Sequence, residues 1–249
     1  MFNTRKTASL ILLAAFASVA AHADDYRFEL GAAFERANLD FDDEFGDVPD
    51  VDSIAVSGHF YLNPVPTDGV PLAEAAFLNR SSFVNAAAQR FDDGDDTFDV
   101  FAANFGYYIP NTMFYGRLGV IKFDDVDAGD DTLVTGTVGI TPFKGLLVTT
   151  DFDEDGWNPN ASARYVGQFG NQKFYAAGIT VVDPDNDDLT FSADFDYYFD
   201  HTFSVGGSVG EDIVGIRAEK FFTPSFAVGA RAYTADDVDG FGAHVKWRF

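Results

Sequence analysis

The chain has 249 residues, no cysteine, and 40 Asp+Glu against 16 Lys+Arg, for a formal net charge of −24 at pH 7. That balance speaks against nucleic acid as a partner, because phosphate binding needs a basic surface. The missing cysteines exclude a disulfide framework and a thiolate metal site.

Residues 1–23 carry Arg5 and Lys6, an apolar run from Ala8 to Ala20 and then Ala21-His22-Ala23. This order predicts a secretory signal cleaved before Asp24. Two basic residues would leave with it, so the mature net charge falls from −24 to −26. No Pro/Ser-rich linker or change of texture follows, and one domain is expected over 24–249. No later stretch is apolar over the roughly 18 residues that a membrane helix needs. Any crossing of a bilayer must therefore use strands.

The mature chain alternates apolar and polar residues throughout. Val134, Gly136, Val138 and Ile140 interleave with Thr135, Thr137 and Gly139, and Ala161, Ala163, Tyr165, Gly167 and Phe169 with Ser162, Arg164, Val166 and Gln168. Phe191, Ala193, Phe195, Tyr197 and Phe199 interleave with Ser192, Asp194, Asp196 and Tyr198. Each segment has the period of a strand and the length of about 9 to 11 residues that crosses a bilayer at a tilt. The pattern predicts an all-β fold, a transmembrane antiparallel up-and-down β-barrel of about fourteen strands, with twelve as the alternative count. Starts are expected near residues 26, 53, 72, 97, 112, 132, 145, 160, 172, 188, 202, 212, 225 and 240. The third is the least regular, since PLAEAAFLNRSSFVNAAAQRF loses clean parity after Phe77, and the seventh is short.

The connections are of two alternating kinds. Acidic ones include LDFDDEFGDVPDVD after residue 38, FDDGDD near 91, FDDVDAGDD near 123, DFDEDGWNPN near 151 and DPDNDD near 183. Shorter ones, poor in acid, include NPVPTDGVP near 63, IPNT near 109, TPFKG near 141, GNQK near 170, FDHT near 199 and FTPS near 222. Two chemically distinct ends suit a barrel with short periplasmic turns and longer outer loops, and an even strand count puts both termini in the periplasm. Tyr107 and Tyr108, Phe114 and Tyr115, Phe174 and Tyr175, Tyr197 to Phe199, Phe221 and Phe222, and Trp247 with Phe249 flank the short turns. They read as an aromatic girdle at a membrane interface.

The chain ends in FGAHVKWRF, with Phe241, Ala243, Val245, Trp247 and Phe249 on one face and His244, Lys246 and Arg248 on the other. This last strand is expected to close against YRFELGAAF, residues 26–34, so that no edge is left unpaired in lipid. The terminal run resembles the C-terminal signal, aromatic at its last residue, by which outer-membrane assembly machinery recognises its clients. That resemblance implies Trp247 and Phe249 as the assembly signal. VDSIAVSGHFYLNPVPTDGVPLAEAAFLNRSSFV, residues 51–84, is similar to the second-to-third-strand region of the putative porin family of Gram-negative outer membranes. It implies a pore-forming outer-membrane protein and names no solute.

With the apolar parity facing lipid, the lumen is expected to hold Arg117, Arg164, Asp194, Asp196, Arg217, Arg231, His244, Lys246 and Arg248, with Glu29 and Glu219. Outward Arg at the bilayer midplane would cost about 2 to 4 kcal/mol. Two roles stay open: a basic ladder tuning ion preference, or charges that satisfy one another across a polar interior. Acidic outer loops favour cations at the mouth. Small inward residues, Gly106, Gly119, Gly139, Gly215 and Gly229, leave room for a channel, while Tyr198 and Tyr233 oppose one. No conspicuously long loop suggests a constriction loop.

Asp151, Asp153 and Asp155 begin like a calcium loop, but Ser162 stands where the bidentate Glu belongs, leaving only loose divalent binding in prospect. His59, His201 and His244 are the histidines after the signal, and no hydrolase, zinc-protease or phosphate-loop motif accompanies them. No enzyme activity and no cofactor is expected. The expected function is an outer-membrane porin for passive diffusion of small hydrophilic solutes or ions, with a non-conducting structural or adhesive barrel as the rival. Expected partners are outer-membrane lipid, lipopolysaccharide, the assembly machinery, and solutes or ions.

Overall fold

A computed structural model describes residues 25–39, 50–94, 96–125, 129–153, 156–170, 173–182, 189–235 and 238–249. The expected signal segment and Asp155 lie outside them. The strands run Asp25–Leu39 (β1), Val51–Pro66 (β2), Phe83–Asp92 (β3), Thr97–Tyr108 (β4), Phe114–Asp125 (β5), Gly129–Ile140 (β6) and Leu146–Asp153 (β7). They continue Gly156–Phe169 (β8), Lys173–Val182 (β9), Thr190–Tyr198 (β10), Phe203–Val209 (β11), Ile213–Thr223 (β12), Phe226–Ala235 (β13) and Val238–Arg248 (β14).

Every strand pairs antiparallel with its chain neighbours, and β14 closes on β1 through Glu29↔Arg248, Leu30↔Trp247 and Ala33↔His244. The result is a closed barrel of fourteen strands with no free edge, the condition for a sheet to survive in hydrocarbon. At the seam, a bulge between Tyr26 and Phe28 lets the N–H groups of Arg27 and Phe28 share the Phe249 carbonyl at 3.0 and 2.8 Å. The Phe28 and Phe249 rings stack there at 5.6 Å.

Alternation sorts the side chains as period two requires. Leu118, Ile216 and Phe222 on the outer wall are 64, 67 and 67 % exposed, while Tyr115, Thr137, Asp196 and Arg248 on the inner wall are buried. A wall that is apolar outside and polar inside is stable only when the outside faces lipid.

One expectation needs correction. The third strand does not start near 72: it starts at Phe83, and residues 67–82 fold into the barrel instead, an inward segment where no constriction loop was expected. After β2, a 3₁₀ turn at Leu72–Glu74 runs into one turn of helix, α1 (Ala75–Leu78). Pro71 fixes the entry, and Leu-Ala-Glu-Ala-Ala-Phe-Leu is made of strong helix formers, whose 3.6-residue period is what breaks the strand parity here. The helix ends with Arg80 at φ 50°, Arg80 N–H donating to the Phe77 carbonyl and Ser81 N–H to that of Ala76, both at 3.0 Å. This is the 6→1 and 5→2 pattern that usually takes glycine at the left-handed position. Arginine occupies it because its guanidinium reaches across to the Thr141 carbonyl at 3.1 Å and ties the helix end to the β6–β7 turn.

Candidate pore lumen

The inward segment sits at the end of the barrel that carries the C-terminus and the short turns, and packs on three patches of the inner wall. Val70 and Ala75 bury with Tyr26, Tyr61 and Val65. Ala73, Phe77 and Leu78 lie on Val166, Phe174, Ala176 and Tyr198. Leu72 joins Phe221 and Ala227. The contacts span β1, β2, β8, β9, β10, β12 and β13, so the segment crosses the mouth and narrows it.

The aromatic doublets acquire a second role here. Consecutive residues of a strand face opposite sides, so each doublet sends one ring outward and one inward. Phe114, Tyr107 and Phe222 are exposed on the outer wall, whereas Tyr115, Phe174, Tyr198 and Phe221 are buried inside. Of the expected girdle, Phe174, Tyr198 and Phe221 are therefore the seat of the inward segment.

Polar anchors fix its register. The buried Glu74 carboxylate accepts from Arg164 Nη2 at 2.5 Å and from the Tyr198 hydroxyl at 2.6 Å. Arg248 Nη1 donates to the Leu72 carbonyl at 2.8 Å, its Nε to Glu29, and its plane lies 4.4 and 4.5 Å from the Tyr26 and Phe221 rings. Leu72 N–H donates to the His201 carbonyl at 2.8 Å, and His201 Nδ1, facing the Val70 carbonyl at 3.0 Å, must carry the proton of that contact. The Asp200 carboxylate shapes this turn by accepting from the Thr202 N–H and hydroxyl, each at 2.6 Å. The hydroxyl bond chiefly holds Asp200 below the usual carboxylate range.

Further along the lumen, the charges expected there all face inward and are paired. Arg217 Nε and Nη2 hold Asp196 at 2.8 and 2.7 Å, and Nη2 also reaches Asp194 at 3.0 Å. Arg164 Nη1 lies 3.7 Å from Asp194. Glu219 takes both His244 Nε2 at 2.7 Å and Lys246 Nζ at 2.6 Å. Arg231 pairs with Glu35, and Arg117 with Asp151 at 3.4 Å. Asp151 also accepts from Thr137, so this divalent candidate is engaged in the β5–β7 wall; Asp153 also belongs to β7. Among the described residues no group of three carboxylate or imidazole side chains is arranged to hold a metal ion.

These pairs line the arc from β5 round to β1. The wall from β2 to β4 presents Ser57, His59, Asn85, Gln89 and Asn104, uncharged apart from the titratable His59. A cavity of about 490 Å³ lies against β1, β2, β13 and β14, with Glu29, Ser57, His59, Arg231, His244 and Lys246 in its lining. The inward glycines make room for neighbouring side chains. A Cβ at Gly119 would strike Asn104 and Thr135, at Gly178 Asp194, at Gly206 Asp196, and at Gly229 His244. Each glycine lets a neighbouring polar side chain lie flat along the wall, which keeps bulk away from the axis.

A closed lipid-facing barrel with a polar, charged interior defines a transmembrane channel of the outer-membrane type. A family profile described as "Putative general bacterial porin" matches residues 5–137, and the chain belongs to that family. It is an outer-membrane porin. Among solved structures it is similar to the outer membrane protein Omp33 of Acinetobacter baumannii, with 22% identity and a TM-score of 0.75 over 90% of this chain and 99% of that one. At that identity the likeness concerns the fold. A KdgM porin in complex with disordered oligogalacturonate and a triple-mutant porin of Rhodopseudomonas blastica align at TM-scores of 0.45 and 0.46, with 8% and 10% identity, each over 89% of this chain and 99% of theirs. Scores below one half carry no weight here. No curated protein matches the sequence.

Proposed function

We propose that this porin passes small hydrophilic solutes and ions by passive diffusion, with a preference for cations, along a lumen narrowed at its periplasmic end by residues 67–82. The observation that supports it is the balance of charge where the segment meets the wall: among the described residues, Glu74, Asp194 and Asp196 share Arg164 and Arg217. Within this cluster one carboxylate is in excess, and acidic outer loops add to its sign. Fixed charge at a constriction selects ions more strongly than charge at a wide mouth, because less water and salt screen it.

Changing Asp194 and Asp196 together to Asn turns that excess into an uncompensated Arg217. The expected result is a reversal potential that moves toward anion preference in a potassium chloride gradient, by severalfold in permeability ratio at low salt and less at high salt. An unchanged potential would remove these carboxylates from the selectivity.

In this reading both termini and the short turns face the periplasm, and the acidic loops face outward. Outer-membrane lipid and lipopolysaccharide surround the apolar wall. The assembly machinery takes the C-terminal strand through Trp247 and Phe249. Phe249→Ala removes the ring stacked on Phe28 while keeping the backbone bonds of the seam. It is expected to lower the amount of assembled barrel in cells several times over and to leave the conductance of refolded protein unchanged; equal assembly would contradict this role. His201 anchors the segment and His244 serves Glu219.

A further inference from the structure

Strand parity sends three phenylalanines into the lumen near its loop end. Phe91 of β3, Phe98 of β4 and Phe123 of β5 alternate with the outward Arg90, Asp99 and Lys122, and each lies within two residues of the loop end of its strand. The ring centroids of Phe91 and Phe98 are 5.8 Å apart and those of Phe98 and Phe123 6.0 Å, the latter two planes lying within 12° of each other. The rings form a strip across three strands. Val100, the cross-strand partner of Phe123, and Ile121 on the same face carry it one step deeper. The inward rings at the other end seat residues 67–82, whereas Phe91, Phe98 and Phe123 are half-buried and join none of those packed clusters.

A carboxylate stands at the end of the strip. Asp131 of β6 pairs across strands with Phe123, which puts the two side chains on one face, about 5 Å apart at Cβ. It is exposed, accepts the Thr132 N–H at 2.8 Å, and has no ion-pair partner among the described residues. Deeper inward carboxylates differ: Asp194, Asp196 and Glu219 each hold a base. Among the described residues the one Lys or Arg on the inward face of β2 to β6 is Arg117, six residues deeper than Phe123 and bound to Asp151.

Ring faces carry the negative side of the aromatic quadrupole and attract a cation, so the strip and the carboxylate favour one sign of charge. An anion is repelled by both. A bare inorganic cation uses the carboxylate and leaves the apolar strip wet, and a neutral ring leaves Asp131 unused. We propose that Phe91, Phe98, Phe123 and Asp131 form an outer binding station for organic ammonium ions that carry an apolar or aromatic body, the ammonium on Asp131 and the body along the rings. The inference rests on the cation-preferring channel proposed above and names the class of solute it favours.

The test is block of potassium chloride current through the refolded mature barrel in a planar bilayer by phenethylammonium, propylammonium or hydrocinnamate. Phenethylammonium is expected to half-block at about tenfold lower concentration than the other two, as a cation–π contact joined to a charge-assisted bond would give. The variant F91A/F98A/F123A should erase the advantage over propylammonium, and D131N should raise the half-blocking concentration of phenethylammonium severalfold. Equal block by phenethylammonium and propylammonium in the unaltered protein, or an unaltered advantage in the triple variant, would overturn the site. Hydrocinnamate blocking as strongly as phenethylammonium would overturn the choice of charge. The comparison of probes needs no variant and so survives a folding failure. The reversal potential in potassium chloride alone reports the channel separately, and fluorine NMR of para-fluorophenethylammonium with the detergent-solubilised barrel reads the station even where no current flows.

Discussion

Replacing residues 71–81 by a short glycine-serine linker is expected to raise single-channel conductance by roughly two- to fivefold, because conductance is set at the narrowest stretch. The barrel should still form. Its backbone bonds are satisfied strand to strand, and β2 and β3 already meet at Tyr61↔Phe83 with the Leu62 N–H on the Ser82 carbonyl at 2.9 Å, so few residues are needed to join them. The linker variant exposes the inward rings Phe174, Tyr198 and Phe221 to water and should lose thermal stability. Planar-bilayer recordings check the prediction. An unchanged conductance would mean that the constriction lies elsewhere.

Arg248→Ala should be the most damaging single substitution. The side chain is 3% exposed, sandwiched between Tyr26 and Phe221, bonded to Glu29 and to the Leu72 carbonyl. Removing it strands a carboxylate on β1 and a carbonyl of the inward segment. Breaking a buried pair in this way costs about 3–5 kcal/mol. The urea midpoint of the refolded barrel should fall accordingly, and its channel should become noisier as Leu72 loses its tether. Pairing Arg248→Met with Glu29→Gln should recover part of the stability, since no unpaired charge then remains. A midpoint that does not move would show that the cluster at the seam carries little of the fold.

Most of the barrel is legible in the sequence because period-two alternation is a local signal. Phe191 to Phe199 and Phe241 to Phe249 fix their own faces, and Gly145 at φ 86° and Asn111 at φ 60° mark turns where turn residues were read. The expected strand starts fall near the observed ones except at the third. There the chain packs against strands far away in sequence, and nothing local says that Leu72 will meet Phe221 or that Glu74 will meet Arg164. Two signals were present all the same. PLAEAAFL has helical rather than strand spacing, and the aromatic doublets place rings on the inner wall, where a water-filled lumen alone would have no use for them. The parity of the charged residues was readable, whereas their pairing needed the register. Asp196 meets Arg217 across β11 because Gly206, paired with both, puts no side chain between them. The glycines were read as open space, when their purpose depends on which side chain lies over them.

The central claim is a channel narrowed from within, and single-channel recording of the unmodified mature protein in a planar bilayer under a salt gradient tests it most directly. The account predicts discrete steps smaller than those of the linker variant, with a reversal potential of cation-selective sign. Silence from a correctly folded, heat-modifiable barrel, with the linker variant equally silent, would contradict it and favour a structural or adhesive barrel.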